Sequence, residues 1–95
     1  MKKILFILTC SLLSVTMMAS ITVTGTVISA EDGLPVIGAS VLEKGTSNGT
    51  ITDFDGMYEL TVDNNAVLVF SYVGLTSQEL KVKGTVMNVT LQSDA

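Results

Sequence analysis

Two neighbouring stretches decide the fold: Gly33-Leu34-Pro35-Val36-Ile37-Gly38-Ala39-Ser40-Val41, and Gly45-Thr46-Ser47-Asn48-Gly49-Thr50-Ile51-Thr52-Asp53-Phe54-Asp55-Gly56-Met57-Tyr58-Glu59-Leu60. Short β-branched or aromatic runs alternate with glycine and Asn/Asp punctuation, the pattern of brief strands joined by tight reversals. In the Asn48-Gly49 pair both residues tolerate positive φ, so it predicts a type I′ turn into a strand of three or four residues around Thr50 to Thr52. Asp53-Phe54-Asp55-Gly56 predicts a second reversal, its aspartates accepting bonds from nearby backbone amides.

Upstream, residues 21–29 place Ile21, Val23 and Val27 on one face and threonines on the other, as in a strand with one buried and one wet face. Ala30 to Pro35 is a polar turn in which Gly33 supplies positive φ, and Ala39 to Glu43 is the second strand. Gly38, just before it, reads as a bulge or a close backbone approach.

Downstream, Met57 to Val62 alternates with Tyr58, Leu60 and Val62 inward, and Asp63-Asn64-Asn65 turns the chain. Ala66 to Val73 is apolar on both faces, which predicts a central strand covered on both sides. Thr76 to Val82 puts Leu80 and Val82 inward, and Met87, Val89 and Leu91 share a face after the turn at Gly84-Thr85. No long window has a helical period.

Seven short strands predict an all-β domain, a seven-stranded two-sheet sandwich, because a single sheet would leave its apolar face in water. The expected core is Val23, Val27, Val41, Ile51, Tyr58, Leu60, Val69 or Phe70, Leu80, Val82, Val89 and Leu91.

The N-terminus has a different character. Met1-Lys2-Lys3 precedes a short apolar run, Ile4 to Met18, that ends in Ala19-Ser20. Positive charge, apolar stretch and small residues form the pattern of a secretory signal peptide, expected over residues 1–20 with cleavage after Ala19 or Ser20. A membrane anchor needs roughly 20 apolar residues, and polar residues interrupt this run. Ile7-Leu8-Thr9-Cys10 loosely resembles a lipoprotein acylation site, but only six residues separate Lys3 from Cys10, and acylation there would leave Leu12, Leu13, Val15, Met17 and Met18 as an apolar tail.

Residues 21–95 form the expected domain, with no cysteine, so packing alone must hold it together. That part carries Lys44, Lys81 and Lys83 against nine acidic residues, a net charge of −6, and no arginine. Such a balance disfavours nucleic acid and an anionic membrane surface as direct partners.

Chemistry has few candidates. Asp53 and Asp55, with Glu59 nearby, would share a face of an extended chain, which raises paired carboxylates or a calcium loop. A calcium loop needs a longer run of oxygen ligands and a distant glutamate, so turn building is the stronger reading. There is no histidine to activate Ser29, Ser40, Ser47, Ser71, Ser77 or Ser93, and zinc would lack its usual ligands. No catalytic, cofactor-binding or metal site is expected. Asn48-Gly49-Thr50 and Asn88-Val89-Thr90 match the glycosylation pattern, which is too short to carry weight. The threonine-rich faces offer either an ordinary wet surface or an edge for strand addition.

The order of these elements resembles a known family. Val23-Thr24-Gly25-Thr26-Val27, Asp32 to Val41, Lys44 to Thr50, Thr52 to Tyr58 and Leu68-Val69-Phe70-Ser71-Tyr72-Val73-Gly74 together resemble the carboxypeptidase-D regulatory-like domain. More narrowly, they resemble the copy at the N-terminus of SusC/RagA-type TonB-dependent outer-membrane receptors of Bacteroidetes. The resemblance covers nearly all of residues 21–92; Leu75 departs from the residue common at that place.

It implies a transthyretin-like, Greek-key sandwich on the periplasmic face of the outer membrane. Such a domain precedes a plug and a barrel that import glycans or peptides. The implied function is that of a non-catalytic accessory domain. Its partners would be the plug and barrel of the parent receptor, TonB-system components or a SusD-like lipoprotein, and it would meet the membrane only through that receptor. Neither plug nor barrel strands follow within these 95 residues, which leaves open a free-standing secreted or surface interaction module. A ureide hydrolase of the transthyretin fold depends on histidines, and this chain has none.

Overall fold

The computed structural model describes residues 19–94. Cys10 and all but the last two residues of the expected leader lie outside them. Seven strands follow in order: β1 Ser20–Ser29, β2 Ser40–Glu43, β3 Gly49–Ile51, β4 Met57–Asp63, β5 Val67–Ser71, β6 Gln78–Lys81 and β7 Val89–Leu91. They build a three-stranded sheet, β4-β1-β7, and a four-stranded sheet, β3-β2-β5-β6, and the described residues contain no helix. The predicted all-β, two-sheet architecture is what forms.

Strand β1 organises the smaller sheet. Its first seven residues pair antiparallel with β4, from Ser20↔Asp63 to Thr26↔Met57, and its last three, Val27 to Ser29, pair parallel with β7. A parallel pair demands a long connection, and here almost the entire domain lies between the two partners. The threonines behave as expected: Thr22 and Thr61, opposite one another outside the sheet, share a hydroxyl–hydroxyl bond of 2.8 Å.

Between the sheets, period-two alternation turns one row of each strand inward. Val23, Val27, Val41, Tyr58, Leu60, Val62, Leu68, Phe70, Val82, Val89 and Leu91 are buried. Tyr58 meets the Phe70 ring edge-on at 5.4 Å, linking the sheets through their two buried aromatics. Leu75 and Leu80 pack partly buried against this core.

Five expectations change. Ile51 points out, 66% exposed, and its neighbour Thr52 is buried instead. The reason is register: Ser40 pairs with Ile51 and both face outward, whereas Val41, one residue on, faces in. Asn48-Gly49 makes no type I′ turn: the positive φ falls on Gly45 (81°), and Gly49 already belongs to β3. Thr46 forms the reversal by donating its hydroxyl to the Glu43 carbonyl and accepting from the Asn48 amide.

Gly38 is neither a bulge nor a close approach. It has φ 79° and open space where a Cβ would sit. Strand β5 is central in hydrogen bonding, between β2 and β6, but covered on one face only. A two-layer sandwich has one interior; Leu68 and Phe70 fill it, while Val67 and Val69 lie half-buried outside. Tyr72 and Val73 fall beyond the end of β5 and are exposed. Finally, Val36 and Ala39, absent from the expected core, are buried because the loop carrying them folds over one end of the sandwich.

Candidate interaction site

The carboxylates are accounted for first. The backbone of Asp53 pairs with Met57, and its Oδ1 accepts the amides of Asp55 and Met57, both at 2.9 Å. These bonds hold a turn closed by Gly56, whose φ is 73° and whose absent Cβ would stand 2.7 Å from Pro35 Cβ and 2.8 Å from the Val27 carbonyl oxygen. Asp53 is therefore a turn-building residue, as its spacing suggested. Asp55 and Glu59 are exposed. Among the described residues no group of three His, Cys, Asp or Glu side chains is placed to share a metal ion.

Strand addition meets a different obstacle. A bare edge offers unpaired amides and carbonyls, but groups from the other sheet and its loops already reach both outer strands of the smaller sheet. Along β4, Asn48 Nδ2 donates to the Thr61 carbonyl at 2.8 Å, and the Asp63 amide donates to Glu43 Oε2 at 3.3 Å. Along β7, Gln78 Nε2 donates to the Thr90 carbonyl at 2.6 Å, and the Thr76 amide donates to Gln92 just beyond the strand. The remaining outer strands, β3 and β6, have three and four residues. Asn48 and Asn88, the two glycosylation-pattern residues, both serve the fold: the Asn48 amide also donates to Glu43 Oε1, and Asn88 Oδ1 accepts the Thr26 amide.

One end of the sandwich remains. Here β2 begins, β5 ends, and the loops 30–38, 52–56 and 72–76 come together. The 30–38 loop is pinned from below: Val36 donates to the Val27 carbonyl, and the Thr52 hydroxyl donates to the Val36 carbonyl while accepting the Ala39 amide at 2.9 Å. Burial of Thr52 at 3% exposure is tolerable because both its hydroxyl functions are satisfied.

That scaffold raises apolar side chains into solvent. Leu34, Ile37, Ile51, Phe54, Tyr72 and Val73 are all exposed, Phe54 by 87% and Val73 by 92%. They line two shallow clefts that share Ile37, one running toward Tyr72 and Val73, the other between Ile51 and Phe54. Scattered surface leucines need no explanation, but six large apolar side chains grouped on one end form a candidate contact surface. The sequence hid this patch, since Ile51, Tyr72 and Val73 look like core until strand ends and register are known.

In architecture this is a small two-sheet β-sandwich whose loop end carries exposed apolar side chains. The comparisons place it further: residues 23–95 match the CarboxypepD_reg-like domain, and the chain belongs to that family. It is similar to TonB-dependent receptor P39 of Formosa agariphila, 49% identical over 74 residues, covering 76% of this chain and 7% of that protein. It is also similar to TonB-dependent receptor SusC of Bacteroides thetaiotaomicron, 47% identical over 74 residues, covering 78% of this chain and 7% of that receptor. The chain thus corresponds to about 7% of the length of the curated relatives it matches.

Proposed function

We propose that this chain acts as a non-catalytic accessory domain of a TonB-dependent outer-membrane receptor, exported by a leader over residues 1–20 and exposed to the periplasm. The observation that carries this reading is the similarity, at 47–49% identity across most of the folded domain, to proteins that are themselves TonB-dependent receptors. The domain works by contact with protein, and the receptor's plug, its barrel and the TonB machinery are the partners within reach. Its carboxylates serve turns and surface, and the chain has no histidine. These features favour contact over chemistry.

The test is cellular. In a cell carrying the receptor, mass spectrometry of the purified chain should find a mature N-terminus at Ser20 or Ile21, and fractionation should place it in the envelope. Deleting residues 21–94 from the receptor's reading frame should leave an assembled barrel and reduce uptake. A chain that keeps Met1 and stays in the cytoplasm, or uptake indifferent to the deletion, would refute the proposal.

A further inference from the structure

Charge is uneven along the sandwich: the end where β5 begins mixes lysines with Glu43, Asp63 and Glu79, Lys44 pairing with Glu79 at 2.6 Å, whereas the opposite end is acidic alone. The lysines of the described domain, Lys44, Lys81 and Lys83, lie toward the end where β5 begins: the Lys44 amide donates to the Val67 carbonyl, Lys81 pairs with Val67, and Lys83 follows Val82, which donates to Ala66. The opposite end, where the apolar side chains protrude, carries Glu31, Asp32, Asp53, Asp55 and Asp94, all on exposed residues, and no lysine. Asp94 joins this group because its amide donates to the Gly74 carbonyl, beside Val73.

From this juxtaposition we propose that the loop end docks a protein segment with an apolar centre flanked by lysine or arginine. This inference rests on the reading of the domain as a contact module and adds the chemistry of its partner. The apolar centre would cover Ile37, Phe54 and Val73, and the flanking cations would meet the acidic rim. Carboxylates around an apolar patch repel anionic lipid headgroups, which sets a membrane surface aside. They also set aside a second copy, since face-to-face pairing would bring two identical acidic rims together. Opposite charge on the partner steers encounter and fixes register, while the apolar anchors set the dissociation rate.

The test uses the full chain, isotopically labelled, titrated by NMR with short peptides of equal length. One has a Leu/Phe centre with lysines on both sides, one the same centre with glutamates, and one a Ser/Gly centre with lysines. The lysine-flanked apolar peptide should shift amides around Ile37, Phe54 and Val73, bind about fivefold or more tighter than its glutamate counterpart, and weaken with added salt. The Ser/Gly peptide should not bind. Phe54→Ser with Val73→Ser should weaken binding about tenfold while leaving the remaining spectrum intact, since both side chains stand in solvent.

Equal binding of the glutamate peptide, shifts centred elsewhere, binding to phosphatidylglycerol vesicles, or self-association through the same face would each overturn the proposal. The titration contains no receptor. Its failure alongside reduced uptake on domain deletion removes the partner chemistry alone, and the reverse outcome removes the receptor reading alone.

Discussion

Replacing Gly25 by alanine should destabilise this domain strongly, although alanine is the better residue for an unstrained backbone. Gly25 lies in β1 where the segment leading into β7 crosses it, and a Cβ built there would stand 1.8 Å from the Met87 carbonyl oxygen. Real Cβ atoms essentially never approach closer than 3.0 Å, so strand and segment must separate by at least about 1.2 Å. Two bonds depend on their present spacing: Met87 donates to the Thr24 carbonyl at 2.8 Å, and Tyr58 Oη donates to the Met87 carbonyl at 2.7 Å.

Overpacking costs about 1–3 kcal/mol and each lost hydrogen bond about 1 kcal/mol, so Gly25→Ala should lose about 3–5 kcal/mol. A domain of this size has roughly 4–11 kcal/mol in all. Chain entropy alone would give the opposite sign, a gain of about 0.4–1 kcal/mol, so the experiment discriminates. Urea titration followed by circular dichroism suits a chain without tryptophan. A variant as stable as the parent, or more so, would refute the close approach of β1 and the strand leading to β7.

Thr52→Val keeps the shape of the side chain but strands the Ala39 amide and the Val36 carbonyl, so urea unfolding should show a loss of about 1–3 kcal/mol; a neutral result would mean the loop is held by other contacts. Ile51→Thr, at a position pointing into solvent, should change stability by less than about 0.5 kcal/mol, whereas a loss of several kcal/mol would restore Ile51 to the core. Burial pushes the Tyr58 hydroxyl up to about 12 from its ordinary 10.0. The unfolded chain then releases this proton first, so stability present below pH 10 falls as pH rises toward 12. Tyr58→Phe should be less stable at neutral pH by about 1 kcal/mol and show a shallower alkaline decline, measured by urea unfolding from pH 8 to 12; matching declines in the two proteins would remove the burial argument.

Most of the framework could be read from period and punctuation. Alternation in Tyr58-Glu59-Leu60-Thr61-Val62 gives the inward row directly, and Asp53 with Gly56 announces its turn through chemistry that acts within a few residues. Register over a short strand is harder. Strand β3 spans three residues, too few to display its own alternation, and only its pairing with β2 shows that Thr52 is buried in place of Ile51.

The apolar end is opaque for a related reason. Tyr72 and Val73 continue the composition of β5 without a break, yet the strand ends at Ser71, and the side chains that read as interior become surface. The acidic rim is assembled from residues as distant as Glu31 and Asp94, which no local window can bring together. Gly25 likewise gives no local sign of its role, because the backbone that requires it arrives 62 positions later at Met87.

Photocrosslinking in living cells tests the account most directly. A photoreactive amino acid replacing Val73, at the exposed apolar end, should yield a discrete crosslink to an envelope polypeptide, the receptor's own plug or barrel or a TonB-system component. The same probe at Thr22, on the outer face of β1, should yield none. Equal labelling from the two sites, or a product at Thr22 alone, would contradict the claim that this sandwich works through its loop end as a protein-contact domain.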